Sequence, residues 1–196
     1  MHFMSLKKEQ GEKTKLELIK FARKLFSQNG YNNTRFDDVA KLKGLTTGAL
    51  YHHFKNKKDL FEKVVTHCAI EISQIVFEQA EKSGSNVEGI INGCLAYIEA
   101  VISPKYKNIM LVDSISVLGW KRWKEIDDET SEKGLAHAVE SAQKSGEISK
   151  AISHKVVARF ISGGTNELAL WVSESKDKKS RLTDIKKILE NTLNSL

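Results

Sequence analysis

The stretch Phe36-Asp-Asp-Val-Ala-Lys-Leu-Lys-Gly-Leu-Thr-Thr-Gly-Ala-Leu-Tyr-His-His-Phe54 decides the fold, because its small and apolar residues stand where two short helices meeting at a tight turn need them. Val39 and Ala40 fall at the crossing, and the alanine methyl is small enough to let two backbones approach. Gly44, four residues on, suits a turn with positive φ, a conformation that is costly for residues with a Cβ. Leu45 then plugs the corner, and Thr46 or Thr47 can cap the next helix by accepting from an N–H two or three residues later. In that helix Leu50 and Phe54 make one apolar face, whereas Thr47, Gly48, Tyr51 and His52 fall largely to the other side. The outer face has no greasy residue to bury and is free to read a partner. The pattern is a helix-turn-helix whose second helix faces DNA.

Charge is distributed to match. The chain has 196 residues, long enough for one or two domains, and a formal net charge of +6. Residues 1–63 carry 14 Lys and Arg against 7 Asp and Glu, while residues 64–196 carry 17 against 18, so the whole basic excess lies with the helix-turn-helix. A basic lobe suits a polyanion, because neutralising phosphates releases condensed counterions. The two cysteines, Cys68 and Cys94, form no CxxC and fit a reducing compartment. Residues 1–6 lack a signal-peptide core and no later run approaches the roughly 18 apolar residues of a membrane span, so the expected protein is soluble and cytoplasmic.

One proline, Pro104, and no sustained strand-like alternation predict an all-α chain of about nine helices. Periodicity places a helix over 14–28, stopped at Asn29-Gly30, a second starting at 34–36, and a long fourth helix over about 57–81. Others are expected at 87–102, at about 105–114, at about 121–144 on either side of a Leu118-Gly119-Trp120 break, at 154–173 and at 181–196, with a charged linker over 175–180. Lys7, Lys8 and Lys13 read as a frayed, solvated terminus, or else a loose basic arm. Gly163-Gly164, inside the second-to-last helix, cost about 1 kcal/mol each relative to alanine. Close approach by another helix would compensate, which points to a homodimer through the last two helices, with intrachain packing as the alternative.

The stretch 14–65 closely resembles the DNA-binding domain of the TetR family of bacterial transcriptional regulators, on Ala22, Phe26, Gly30-Tyr31, Thr34, Val39-Ala40, Gly44, Leu50-Tyr51, His53-Phe54, Lys57 and Leu60. The resemblance implies a homodimer with a helix-turn-helix head over residues 1–60 and a helical effector-binding and dimerisation body over 61–196. By position, Thr47, Gly48 and His52 resemble base-contacting residues. Tyr51, His53 and Thr34 resemble phosphate contacts, and Lys57 resembles a lysine that holds the DNA backbone together with its helix N-terminus. Thr46 joins this DNA-binding set through the cap. Arg35 departs from the Ser or Thr usual there, which weakens the cap and adds a salt-sensitive phosphate contact.

No catalytic constellation is present: no GxSxG, GxGxxG or Walker loop occurs, so neither an enzyme nor a cofactor is expected. His67, Cys68 and Glu71 read as structural, because adjacent His and Cys project in different directions and no fourth ligand has metal-site spacing. Asp127-Asp-Glu129 reads as a solvated helix face. For a small-molecule effector site the candidates are Tyr97, Met110, Trp120, Trp123, His137 and Asn166, each joining an apolar body to adaptable shape or a polar handle, with core packing as the competing role. The function expected is a ligand-responsive repressor released from a palindromic double-stranded DNA operator. The alternatives are a DNA-binding activator or nucleoid-associated regulator, and a helical small-molecule-binding protein without DNA binding.

Overall fold

The computed structural model describes residues 2–44 and 46–196, with side chains described from Glu9 onward except those of Leu42 and Lys43. Leu45, the expected corner plug, lies outside the described residues. Nine continuous helices and no strand occur among the described residues. They are α1 (His2–Asn29), α2 (Phe36–Lys43), α3 (Thr47–His53), α4 (Lys57–Ala80), α5 (Asn86–Val101), α6 (108–118), α7 (120–145), α8 (His154–Ser173) and α9 (Lys178–Ser195). Two of them contain wide π-type turns, at Asn108–Asp113 of α6 and Asp128–Glu132 of α7.

Two helix starts differ from the sequence expectation, each for a local reason. Thr14 does not cap α1: its hydroxyl donates back to the Gln10 carbonyl at 2.9 Å, and the helix continues through Gly11 to His2. Lys7, Lys8 and Lys13 therefore lie on the helical backbone of α1. At the other terminus Asp177 accepts from the Ser180 N–H at 3.0 Å, which starts α9 at Lys178 and shortens the charged linker.

α1, α2 and α3 close around Leu18, Ala22, Phe26, Val39, Leu50 and Phe54, all buried. Phe61 of α4 packs edge-on against both Phe26 and Tyr31, at centroid separations of 5.0 and 4.9 Å. The same helix then carries Val64, Val65, Cys68 and Ile72 into the body, where they join one hydrophobic core with Ile98, Ile109, Val157 and Leu193. Along α5, a Cβ on Gly93 would lie 3.2 Å from Val76 Cγ1 and one on Gly89 would lie 3.3 Å from the Ala80 carbonyl oxygen, so the absent side chains allow α5 to lie close against α4. Cys68 and Cys94 are both free and buried, and desolvation pushes their thiols up to about 12 and about 11.

A polar node at Glu71 joins head and body. Arg23 of α1 donates to it at 2.6 Å, the Tyr106 hydroxyl at 2.7 Å, and Lys105 pairs with it at 2.9 Å. Glu71 is thus held by three donors, and His67 Nε2 stands 3.8 Å from it. Two further bonds tie the α1–α2 turn to α6: the Tyr31 N–H donates to Asp113 and the Asn108 amide donates to the Ser27 carbonyl, both at 2.7 Å.

Burial pushes the Glu71 carboxyl up, but the bonds from Tyr106 and Lys105 and the Arg23 charge outweigh it and hold the group down to about 2, against 4.5 when free. A carboxylate depressed by folding contributes stability that is present above 4.5 and lost as pH falls toward 2. Glu71→Gln is expected to lower the melting temperature at neutral pH and to flatten its decline across that acid window. Circular dichroism melts at a series of pH values check this; parallel curves for the two proteins would contradict it.

Candidate nucleic-acid interface and cavity

The α2–α3 corner has the geometry its residues call for. Gly44 sits at φ 67° and ψ 24°, and its N–H closes α2 onto the Ala40 and Lys41 carbonyls. Thr46 is the cap of α3, its hydroxyl oxygen accepting from the Ala49 N–H at 3.2 Å. Leu50 and Phe54 are buried beneath the helix, and Thr47, Gly48, Tyr51 and His52 are exposed above it. The Tyr51 ring rests edge-on against Phe36 at 5.0 Å, which orients the phenol at the surface. His53 is half-buried; desolvation lowers its pKa, with His52 and Lys15 adding to the effect and Glu12 opposing it. Arg35 precedes α2 with extended backbone, makes no side-chain cap and is exposed.

Two residues of the expected DNA-binding set make hydrogen bonds within the chain. Thr34 is 2% exposed and its hydroxyl donates to the Gly30 carbonyl at 2.8 Å, so the side chain closes a turn instead of facing outward. Lys57 lies 4.1 Å over the Tyr31 ring and its ammonium donates to the Tyr31 and Thr34 carbonyls at 2.9 and 3.1 Å. Without DNA it binds the turn before α2 to the start of α4. Exposed cations that the sequence reading did not single out, Lys55 and Lys58, flank it; their signal was their place directly after α3.

In the body, α4, α5, α7 and α8 line a cavity of about 670 Å³ that is open to solvent on one side. Of the six expected residues, Tyr97, Asn166 and His137 line it. The Tyr97 hydroxyl donates to Asn166 Oδ1 at 2.5 Å, and burial pushes its pKa up. His137 is at the exposed rim, 3.8 Å from Glu140. Met110 and Trp123 lie behind Tyr97, around a separate void of about 20 Å³. Trp120 lines neither space: it is 63% exposed on the outside of α7 and leans on Trp123 at 5.1 Å. The Gly119 turn before α7 sends the first tryptophan out and the fourth residue in, which a composition argument could not distinguish.

The reading of Asp127-Asp-Glu129 as a solvated face also changes. Asp127, Asp128 and Glu132 converge to within 4.8 Å of one another, a separation that could hold a metal. The Lys124 ammonium sits among them at 2.7, 2.9 and 2.5 Å, and Arg159 reaches Glu132 at 2.7 Å, so cationic side chains already fill that role. Glu129 alone of the three is exposed.

Residues 18–64 match the description "Bacterial regulatory proteins, tetR family", and residues 87–196 match "Tetracyclin repressor-like, C-terminal domain". The chain belongs to the TetR family. This TetR-family protein is 27% identical over 105 residues to the HTH-type transcriptional regulator AcrR of Shigella flexneri, a match covering 53% of the chain and 49% of AcrR. It is 31% identical over 82 residues to the biofilm operon icaADBC HTH-type negative transcriptional regulator IcaR of Staphylococcus aureus, covering 42% and 44% respectively. The chain thus spans about half the length of the curated relatives it matches. A TetR-family transcriptional regulator of Pectobacterium atrosepticum superposes over 96% of both chains with a TM-score of 0.80 and 30% identity. No helix among the described residues is long and apolar enough to cross a membrane.

If Lys57 is a clamp within the TetR-family head, Lys57→Met should destabilise the DNA-free protein by about 1 kcal/mol for each bond lost, a fall of a few degrees in melting temperature. A thermal melt without DNA measures this, and an unchanged midpoint would return Lys57 to a purely DNA-facing role.

Proposed function

We propose that the protein is a dimeric, ligand-responsive repressor that leaves a palindromic operator when a small molecule fills the body cavity. The observation that carries this reading is that α4 belongs to both places: its first turn is clamped to the α1–α2 turn by Lys57, and Val76, Phe77 and Ala80 near its far end line the cavity. A helix of 24 residues spans about 36 Å, and displacement at one end tilts the other. The Glu71 node and the Asn108 and Asp113 bonds carry the same displacement to α1. An effector that prefers the tilted state would lower operator affinity by linkage. The word "negative" in the name of IcaR supports repression over activation.

Within the head, residues 1–60, Thr47, Gly48 and His52 would meet base edges, while Arg35, Thr46, Tyr51, His53 and Lys55 would meet the DNA backbone. The reading face has no Arg or Asn for a bidentate base contact, so thymine methyl contacts and backbone fit carry much of the recognition. Residues 61–196 would form the effector-binding and dimerising body. On α8, Val156, Phe160, Leu170 and Trp171 are exposed along one stripe with Gly163 and Gly164, which have no atom within 4 Å of a built Cβ; Ile188 of α9 is 54% exposed. Covering that stripe with its copy in a second chain would set two α3 helices about one DNA turn apart, roughly 34–36 Å.

A mobility-shift assay on the intergenic DNA beside the gene is expected to show a discrete complex. Thr47→Ala and His52→Ala should each relax sequence preference, by about 1–3 kcal/mol per discriminated base at most, and Arg35→Ala should lower the salt slope by about one per subunit. Retained preference in both reading-face variants would refute the assignment of α3 as the reader. Phe160→Glu combined with Ile188→Glu should give a monomer by light scattering and abolish the complex; a dimer surviving both substitutions would place the interface elsewhere.

A further inference from the structure

The cavity's chemistry points to its occupant. Its volume of about 670 Å³ lies within the roughly 300–1,000 Å³ of small-molecule sites. Val76, Phe77, Ile90 and Leu135 give it apolar walls, and its charged lining consists of the carboxylates Glu81, Asp127 and Glu132, with no Lys or Arg among the described residues that line it. Lys124 and Arg159, from behind, offset Asp127, Asp128 and Glu132 only in part, two positive charges against three negative. The Thr165 hydroxyl also lines the space; it is 6% exposed and has no nitrogen or oxygen partner, the weak thiol of Cys94 being its neighbour. A buried polar group in that state is satisfied by a ligand or a water. An anion placed here would lose hydration and meet the net negative charge left by this partial pairing and by Glu81, whereas a cation would gain from the same field.

We propose that the cavity takes a lipophilic organic cation and rejects anions of the same shape, with Glu81 setting the sign at the rim and Thr165 and the Tyr97–Asn166 pair meeting the ligand's polar atoms. This rests on the reading of the cavity as the effector site. Tetraphenylphosphonium and tetraphenylborate, alike in shape and opposite in charge, are the probes, titrated by calorimetry into the full-length protein without DNA. The phosphonium is expected to bind about tenfold or more tightly than the borate, and Glu81→Lys, at an exposed position, should erase most of that preference. Equal or tighter binding of the borate, no binding of the phosphonium at millimolar concentration, or a preference unmoved by Glu81→Lys overturns the assignment. DNA release is read separately by mobility shift. A cation that binds selectively but leaves DNA bound upholds the ligand class and defeats the regulatory coupling, while an anion that binds and releases DNA overturns the ligand class and upholds the coupling.

Discussion

Burial of one continuous helix in two different packings is the constraint on which the rest of this molecule depends. α4 has Leu60, Phe61, Val64, Val65, Cys68 and Ile72 fully or almost fully removed from water, and the first of these face the head while the last face the body. At about 25 cal/mol per Å² of apolar surface, neither end can be exposed without losing several kcal/mol, so the helix moves as a rod or not at all. Head and body are consequently not two beads on a flexible linker. They share a buried shaft, and a change of angle in one is felt in the other.

Polar contacts then set how the shaft is held. Glu71 sits midway along it and collects donors from α1 and from the segment before α6, while Lys57 at its first turn gathers the carbonyls of residues 31 and 34. Each of these groups would be expensive to leave unpaired in a half-buried site, so the arrangement favours discrete alternatives over gradual deformation. The wide turn in α6 lies beside these contacts, with Asn108 and Asp113 at its two ends bonded to the head. Packed side chains and these hydrogen bonds thus run without a break from the cavity wall to the α1–α2 turn.

Much of the fold was legible in the sequence because its signals are local. Helices stop at Gly30, Gly44, Gly119 and Gly146, all with positive φ, where a Cβ would clash with the backbone of its own residue, a penalty independent of the rest of the chain. The α2–α3 corner was readable for the same reason: Gly44, the Thr46 cap and the spacing of Leu50 and Phe54 involve residues a few positions apart. The starts of α1 and α9 differ from the periodicity because α1 continues before Thr14, whose hydroxyl donates back to the Gln10 carbonyl, and because Asp177 supplies the cap that starts α9.

What the sequence by itself determined, then, is the all-helical class, the exposed polar face of α3 and the concentration of positive charge around it, because periodicity, capping and net charge need no partner more than a turn or two away. Tertiary structure alone decided that Thr34 and Lys57 turn inward, that Trp120 faces solvent while Trp123 is buried, and that Tyr97 and Asn166, far apart in the chain, meet at the wall of a cavity. Those outcomes depend on which distant carbonyl, ring or carboxylate arrives at a given point. A side chain's competing roles have similar local cost, and long-range packing selects between them.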